Sequence, residues 1–214
     1  MIRAVFFDVG ETLVDETRAW GAWADWLGVP RLTLFAVLGA VIERGEHHRR
    51  ALEVVRPGID IEHERAARRA AGLPDAFESA DLYPDALPCL RALRAAGYRT
   101  GVAASISSTD VLSRLDLPVD IVASSAEWGV EKPALAFFER IADVAQLPPA
   151  EIAYVGDRLD NDILPAMAAG MTAVFIRRGP WGRLHALRPE VARAHLRIDS
   201  LTELPDALQR RQSG

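Results

Sequence analysis

The feature that most narrows the possible folds is an apolar run, Ala4-Val5-Phe6-Phe7, that stops at Asp8 and turns at Gly10. A run this short reads as a strand buried on both faces, as in a parallel sheet. Its polar end would face the crevice beyond the carboxyl ends of the strands, where open α/β sheets bind ligands. Asp8 is therefore a candidate reacting group.

The same signal returns along the chain. Residues 98–104 read as a strand ending at Ser105, and 119–123 as a short strand. Residues 152–156 end at Asp157, 172–176 follow, and 196–198 read as a last edge strand. Helical patterns lie between them: 87–94 closing at Gly97, 133–144 with Pro133 in its first turn, 161–169 closed by Gly170, and a C-terminal helix. Alternation of this kind predicts an α/β fold, a Rossmann-like and mostly parallel sheet flanked by helices. Residues 15–83 depart from it. Trp20, Trp23, Trp26 and Leu27 recur at helical spacing, as do Leu34, Val37, Leu38, Val41 and Ile42. Gly28-Val29-Pro30, Pro57-Gly58 and Gly72-Leu73-Pro74 punctuate them. The chain thus divides into a core, residues 1–14 and 84–214, and an all-helical insert, 15–83. With 214 residues, half of them hydrophobic, it can bury a core of that size.

A net charge of −5 and the lack of a basic stripe argue against nucleic acid or an anionic membrane as partner. The single cysteine, Cys89, cannot form an internal disulfide and falls on the apolar stripe of a helix. No apolar run approaches the roughly 20 residues that span a bilayer. The expectation is a cytoplasmic protein, monomer or homodimer. His47-His48-Arg49-Arg50 reads as a solvated helix face, and the tryptophan stripe as core of the insert. Arg158 reads as a surface residue, and Arg177 to Gly182 as a rigid loop at a strand end.

Three strand ends carry polar groups, Asp8, Ser105 and Asp157, and a parallel sheet brings them to one edge. The sequence 156–162, Gly-Asp-Arg-Leu-Asp-Asn-Asp, holds three carboxylates in six residues. Asp160 and Asn161 suit loop and capping roles. Gathering Asp8, Asp157 and Asp162 without a cation would cost several kcal/mol. A hard divalent ion with oxygen ligands, most simply Mg²⁺, would offset that. The chain contains 24 arginines but one lysine, Lys132, in Glu131-Lys132-Pro133. A position that stays lysine against that background needs a compact ammonium, here to neutralise charge and hold an anionic substrate.

Taken in order, Asp-x-x-x-Thr-Leu at Asp8, a strand-end Ser105, Lys132-Pro133 and Gly-Asp-x-x-x-x-Asp at 156–162 resemble the haloacid dehalogenase (HAD) superfamily of hydrolases. The resemblance implies an Mg²⁺-dependent phosphatase of a small phosphorylated metabolite. Asp8 would be the nucleophile that forms an aspartyl-phosphate. Ser105 would hydrogen-bond the phosphoryl group, and Lys132 would orient Asp8 and stabilise the charged transition state. Asp8, Asp157, Asp162 and the backbone carbonyl of Gly10 would hold the metal. Residues 15–83 occupy the place of a helical C1-type cap.

Gly10 departs from the family pattern. Phosphatases of the superfamily carry there an Asp that protonates the leaving oxygen and then activates water, catalysis typically worth about 10²–10⁴-fold. Two replacements are conceivable: a carboxylate or imidazole nearby (Glu11, Asp15, Glu16 or His47), or a substrate with a good leaving group. The phosphonate-cleaving branch needs a cap lysine, and residues 15–83 contain none. The dehalogenase branch works without metal and lacks the paired acidic site that Asp157 and Asp162 provide. A catalytically impaired protein that binds a phosphorylated ligand or a partner is the alternative from another class.

Overall fold

The computed structural model describes residues 1–73, 75–105, 112 and 115–213; Pro74, the last residue of the third helix break, lies outside them. Six strands form one parallel sheet: β1 (Ala4–Phe7), β2 (Arg99–Ala104), β3 (Ile121–Ser124), β4 (Ile152–Gly156), β5 (Thr172–Ile176) and β6 (Leu196–Ile198). Their order is β3-β2-β1-β4-β5-β6, so the expected Rossmann-like parallel sheet is present. Every residue of β1, β4 and β5 is buried, because both faces of these central strands are covered. Phe7 pairs with Val102 on one side and Val155 on the other, so the chain leaves β1 and β4 side by side. The strand order reverses between β1 and β4, and that switch point is where such sheets open a crevice.

The helices of this unit are α5 (Ala86–Ala95), α6 (Ser125–Trp128), α7 (Leu135–Ala145), α8 (Leu164–Ala168), α9 (Gly179–His185) and α10 (Leu204–Ser213). Phe137, Phe138 and Ile141 from α7 pack with Phe6, Tyr154 and Phe175 from the strands. Phe137, Phe138 and Tyr154 meet edge to face, at 5.5 and 5.1 Å between ring centroids. Two helix starts differ from the sequence reading. Helix α7 begins at Leu135, not Pro133: residues 131–134 form a turn closed by the Ala134 amide on the Glu131 carbonyl, with Lys132-Pro133 cis. The helix expected at 161–169 opens as one wide turn, Leu159–Ile163, before α8. There both carboxylate oxygens of Asp162 are engaged, one by the Arg158 amide, which anchors the turn.

Residues are grouped by contact into Met1–Asp15 with Glu78–Gly214, and Glu16–Phe77. The second unit is helical: α1 (Thr17–Leu27), α2 (Arg31–Glu43), α3 (Arg50–Val55) and α4 (Ile61–Ala70). Gly28 ends α1 in the left-handed conformation. Trp23 is buried beneath the Arg68 guanidinium, 4.3 Å from the ring centroid, and the Trp26 indole N–H donates to Glu64 at 2.7 Å. Of the tryptophan stripe, Trp23 is therefore interior to this unit, while Trp20 and Trp26 are half-buried and donate to Glu16 and Glu64. His47 and His48 lie in the turn before α3 rather than on a helix face, since α2 ends at Glu43 and Gly45 turns the chain. Among the described residues, no single helix is long and apolar enough to cross a membrane.

Candidate active site

The crevice at the β1/β4 switch point gathers the predicted side chains. Asp8 follows β1, Asp157 follows β4, and Asp162 comes back from the wide turn after it. One oxygen from each lies within 4.8 Å of the others. Gly156 makes this approach possible: a Cβ there would sit 2.5 Å from the Asp162 carboxylate. Lys132, delivered by the 131–134 turn, places its Nζ 2.7 Å from Asp8 Oδ1 and 2.6 Å from Asp162 Oδ1. Beneath it lies the Tyr154 ring, 5.6 Å away, whose hydroxyl donates to the Ala103 carbonyl. Ser105 ends β2 as expected, is exposed, and its Oγ accepts from the Lys132 amide at 3.3 Å. Gly10 lies in the turn after Asp8, bridged to Val14, and brings no side chain.

The electrostatics follow from burial. Desolvation opposes the charge of Lys132, yet Asp162 and Asp8 outweigh it and raise its pKa well above the usual lysine value. Asp162 is pushed up to about 6, burial and Asp8 prevailing over Lys132. Asp157 lies well above the usual carboxylate range, first through burial and then through Asp162, Asp8 and Glu11. Its Oδ2 is buried and accepts no hydrogen bond among the described residues. Three hard oxygen donors with one such unpartnered oxygen fit a divalent cation.

Several residues around the crevice have partners that the sequence did not indicate. Arg158, expected at the surface, is half-buried: it grips Asp160 through two hydrogen bonds and stands 5.5 Å from the Trp181 ring. Arg178, read as part of a rigid loop, is buried and forms a bidentate pair with Asp85, 93 residues away. Asp85 also accepts from Ser200 and the Leu201 amide. Burial works against that carboxylate, but Arg178 and Ser200 hold it below the usual range. Glu11 is buried in a left-handed conformation, φ 53°, and accepts from the Tyr83 hydroxyl at 2.6 Å. His185 is buried, accepts the Leu159 amide on Nδ1, and burial lowers its pKa to about 4. Apart from Arg158 and Asp160, which are neighbours in the chain, these partners lie far apart in sequence, so no local spacing reveals them.

A sequence model of the haloacid dehalogenase-like hydrolases matches residues 2–170. The chain is 34% identical over 201 residues to the glyceraldehyde 3-phosphate phosphatase of Methanopyrus kandleri, covering 85% of this chain and 86% of that protein. It is 28% identical to the enzyme of the same name from Pyrococcus furiosus, covering 97% and 92%. Among solved structures it resembles the putative HAD-hydrolase YfnB of Bacillus subtilis, bound to magnesium, with TM-score 0.70 at 18% identity and coverage of 95% and 96%. The motifs, the sheet and these likenesses agree: the chain belongs to the haloacid dehalogenase-like hydrolases and is an enzyme of that hydrolytic class, with phosphatases as its relatives.

Proposed function

We propose that this chain is a Mg²⁺-dependent phosphatase of small phosphorylated sugars, working through an aspartyl-phosphate on Asp8. The observation that carries the reading is Lys132 bridging Asp8 and Asp162 while Asp157 keeps a buried oxygen that has no hydrogen-bond partner among the described residues. Lys132 holds the Asp8 carboxylate in place and offsets charge as the phosphoryl group arrives. An Asp8 oxygen attacks phosphorus, the ester P–O bond breaks, and the sugar oxygen departs. Water then attacks the same phosphorus, releasing phosphate and restoring Asp8. Ser105, at the rim, donates to a phosphoryl oxygen. Asp8, Asp157, Asp162 and the Gly10 carbonyl would hold the cation, which supplies charge neutralisation for the bound phosphate. Residues 15–83, which include the helical unit Glu16–Phe77, would act as a C1-type cap that selects the substrate.

The names of the relatives point to a triose phosphate as substrate class. Gly10 supplies no proton to the departing oxygen, so turnover is slow unless the leaving group is good. Phosphate release from aryl, acyl and sugar phosphates, with and without Mg²⁺, tests this on the parent, Asp8→Asn and Gly10→Asp. The expected result is release by the parent that needs Mg²⁺ and vanishes in Asp8→Asn. Gly10→Asp should accelerate sugar phosphates about 10²–10⁴-fold and aryl phosphates far less. Equal acceleration of both classes would refute the missing-acid account, and Mg²⁺-independent release would refute the metal site.

A further inference from the structure

Helix α9 and the residue before it carry none of the four motifs, yet they touch both loops that bear the acidic cluster. On the β1 side, the Arg178 guanidinium donates to the Thr12 carbonyl at 3.2 Å and lies 4.3 Å over the Tyr83 ring. Tyr83 in turn holds the Glu11 carboxylate. Gly179, at φ +61°, lets the backbone lie so close to Glu11 that a Cβ there would stand 2.2 Å from its Oε2. Glu11 and Thr12 directly follow Gly10, and the amides of residues 11–14 close the turn onto the Val9 and Val14 carbonyls. On the β4 side, His185 Nδ1 accepts the Leu159 amide at 3.0 Å, and Trp181 backs Arg158. The Arg158 amide then donates to Asp162 Oδ2 at 3.0 Å.

We propose that residues 178–185 are a brace that sets the separation of the Asp8 loop from the Asp157–Asp162 loop, with Gly179 and His185 as its positioning residues. The physical need is plain. Three carboxylates within 4.8 Å repel one another, and among the described residues Lys132 pairs with Asp8 and Asp162 but not with Asp157. In the metal-free fold, something other than a direct ion pair with Lys132 must therefore keep Asp157 in place. A left-handed Glu11 likewise persists only where its surroundings over-determine it. Both loops must also hold their geometry to within about 0.5 Å for catalysis.

Hydrogen exchange followed by mass spectrometry on the full chain tests the brace, alongside kcat and KM. The kinetic arm rests on the phosphatase reading; the exchange arm does not. His185→Leu removes the acceptor of the Leu159 amide, and residues 157–163 should exchange roughly tenfold faster. His185→Asn puts an oxygen near the Nδ1 position and should restore parent exchange. Gly179→Ala, an independent arm should His185→Leu fail to fold, should accelerate residues 8–14. In His185→Leu and Gly179→Ala, kcat should fall about 10–100-fold with KM within about threefold. Folded His185→Leu or Gly179→Ala with parent exchange rates would overturn the proposal. So would a His185→Asn variant indistinguishable from His185→Leu, because packing rather than the hydrogen bond would then matter. A parent that releases no phosphate would remove the phosphatase reading while the exchange arm still decides the brace.

Discussion

The crevice and the helical unit use the same charged side chains under opposite conditions. In the helical unit, Arg31 pairs with Asp25 and Arg50 with Glu53, each partner more than two-fifths exposed. In the crevice, the side chains of Lys132 and Asp162 are 1% and 0% exposed. Water screens the first set, and such pairs contribute little to stability. The second set has exchanged water for one another, so removing any member strands the rest. The crevice stores charge that burial opposes and neighbours compensate, a state suited to receiving an anion and a cation. Among its described residues the helical unit buries one such group, Arg68, which lies over Trp23 and pairs with the exposed Asp75.

The largest break in that contrast comes from Lys132→Met. It leaves Asp8 and Asp162 buried without their cation, and stability should drop by about 3–5 kcal/mol in urea melts at pH 7. Phosphate release should fall roughly 10²–10³-fold or more. An unchanged melt would mean that Lys132 does not offset buried negative charge in the crevice.

Asp157→Asn should act in the opposite direction. The folded pKa of Asp157 lies above its unfolded value, so the metal-free fold holds that proton more tightly than the unfolded chain. Its stability therefore falls as pH rises from the unfolded value through the folded one. The variant lacks this loss, so the Tm difference in its favour should grow with pH. It should also lose the rise in Tm that Mg²⁺ gives the parent. A variant still stabilised by Mg²⁺ would place the cation elsewhere.

A smaller effect belongs to His185, whose folded pKa of about 4 lies below the usual 6.5. Between those values the unfolded chain binds a proton that the folded chain refuses, so stability drops as pH falls from 6.5 toward 4. In His185→Asn that contribution disappears, and its Tm should gain on the parent's as pH is lowered through this window. Parallel Tm curves would show that His185 is not buried neutral. Smallest of all, Arg31→Ala and Arg50→Ala should leave Tm and phosphate release at parental values. A clear loss from either would end the comparison, because exposed pairs would then matter as much as buried ones.

Much of this could be read without coordinates. Strand and helix order followed from apolar runs that end at turn residues, and the six expected strands form the sheet. Asp8 and Asp157 were legible because parallel strands deliver their next residue to the same edge, and Asp162 because it stands in a run with three carboxylates in six residues. Where the reading slipped, at the starts of α7 and the 159–163 turn, side-chain and turn hydrogen bonds overrode helical propensity.

The sequence by itself determined what is periodic or local: the α/β class, the apolar strands and the polar residue at each strand end. Only the tertiary structure decided what depends on distant chain segments meeting. It turned Arg178 inward to Asp85, set Gly179 against Glu11, and gave the Leu159 amide to His185. It also left one buried Asp157 oxygen without a hydrogen-bond partner among the described residues. Strand ends are legible because backbone periodicity places them. Buried polar partners are not, because desolvation makes a partner necessary without saying where in the chain it comes from.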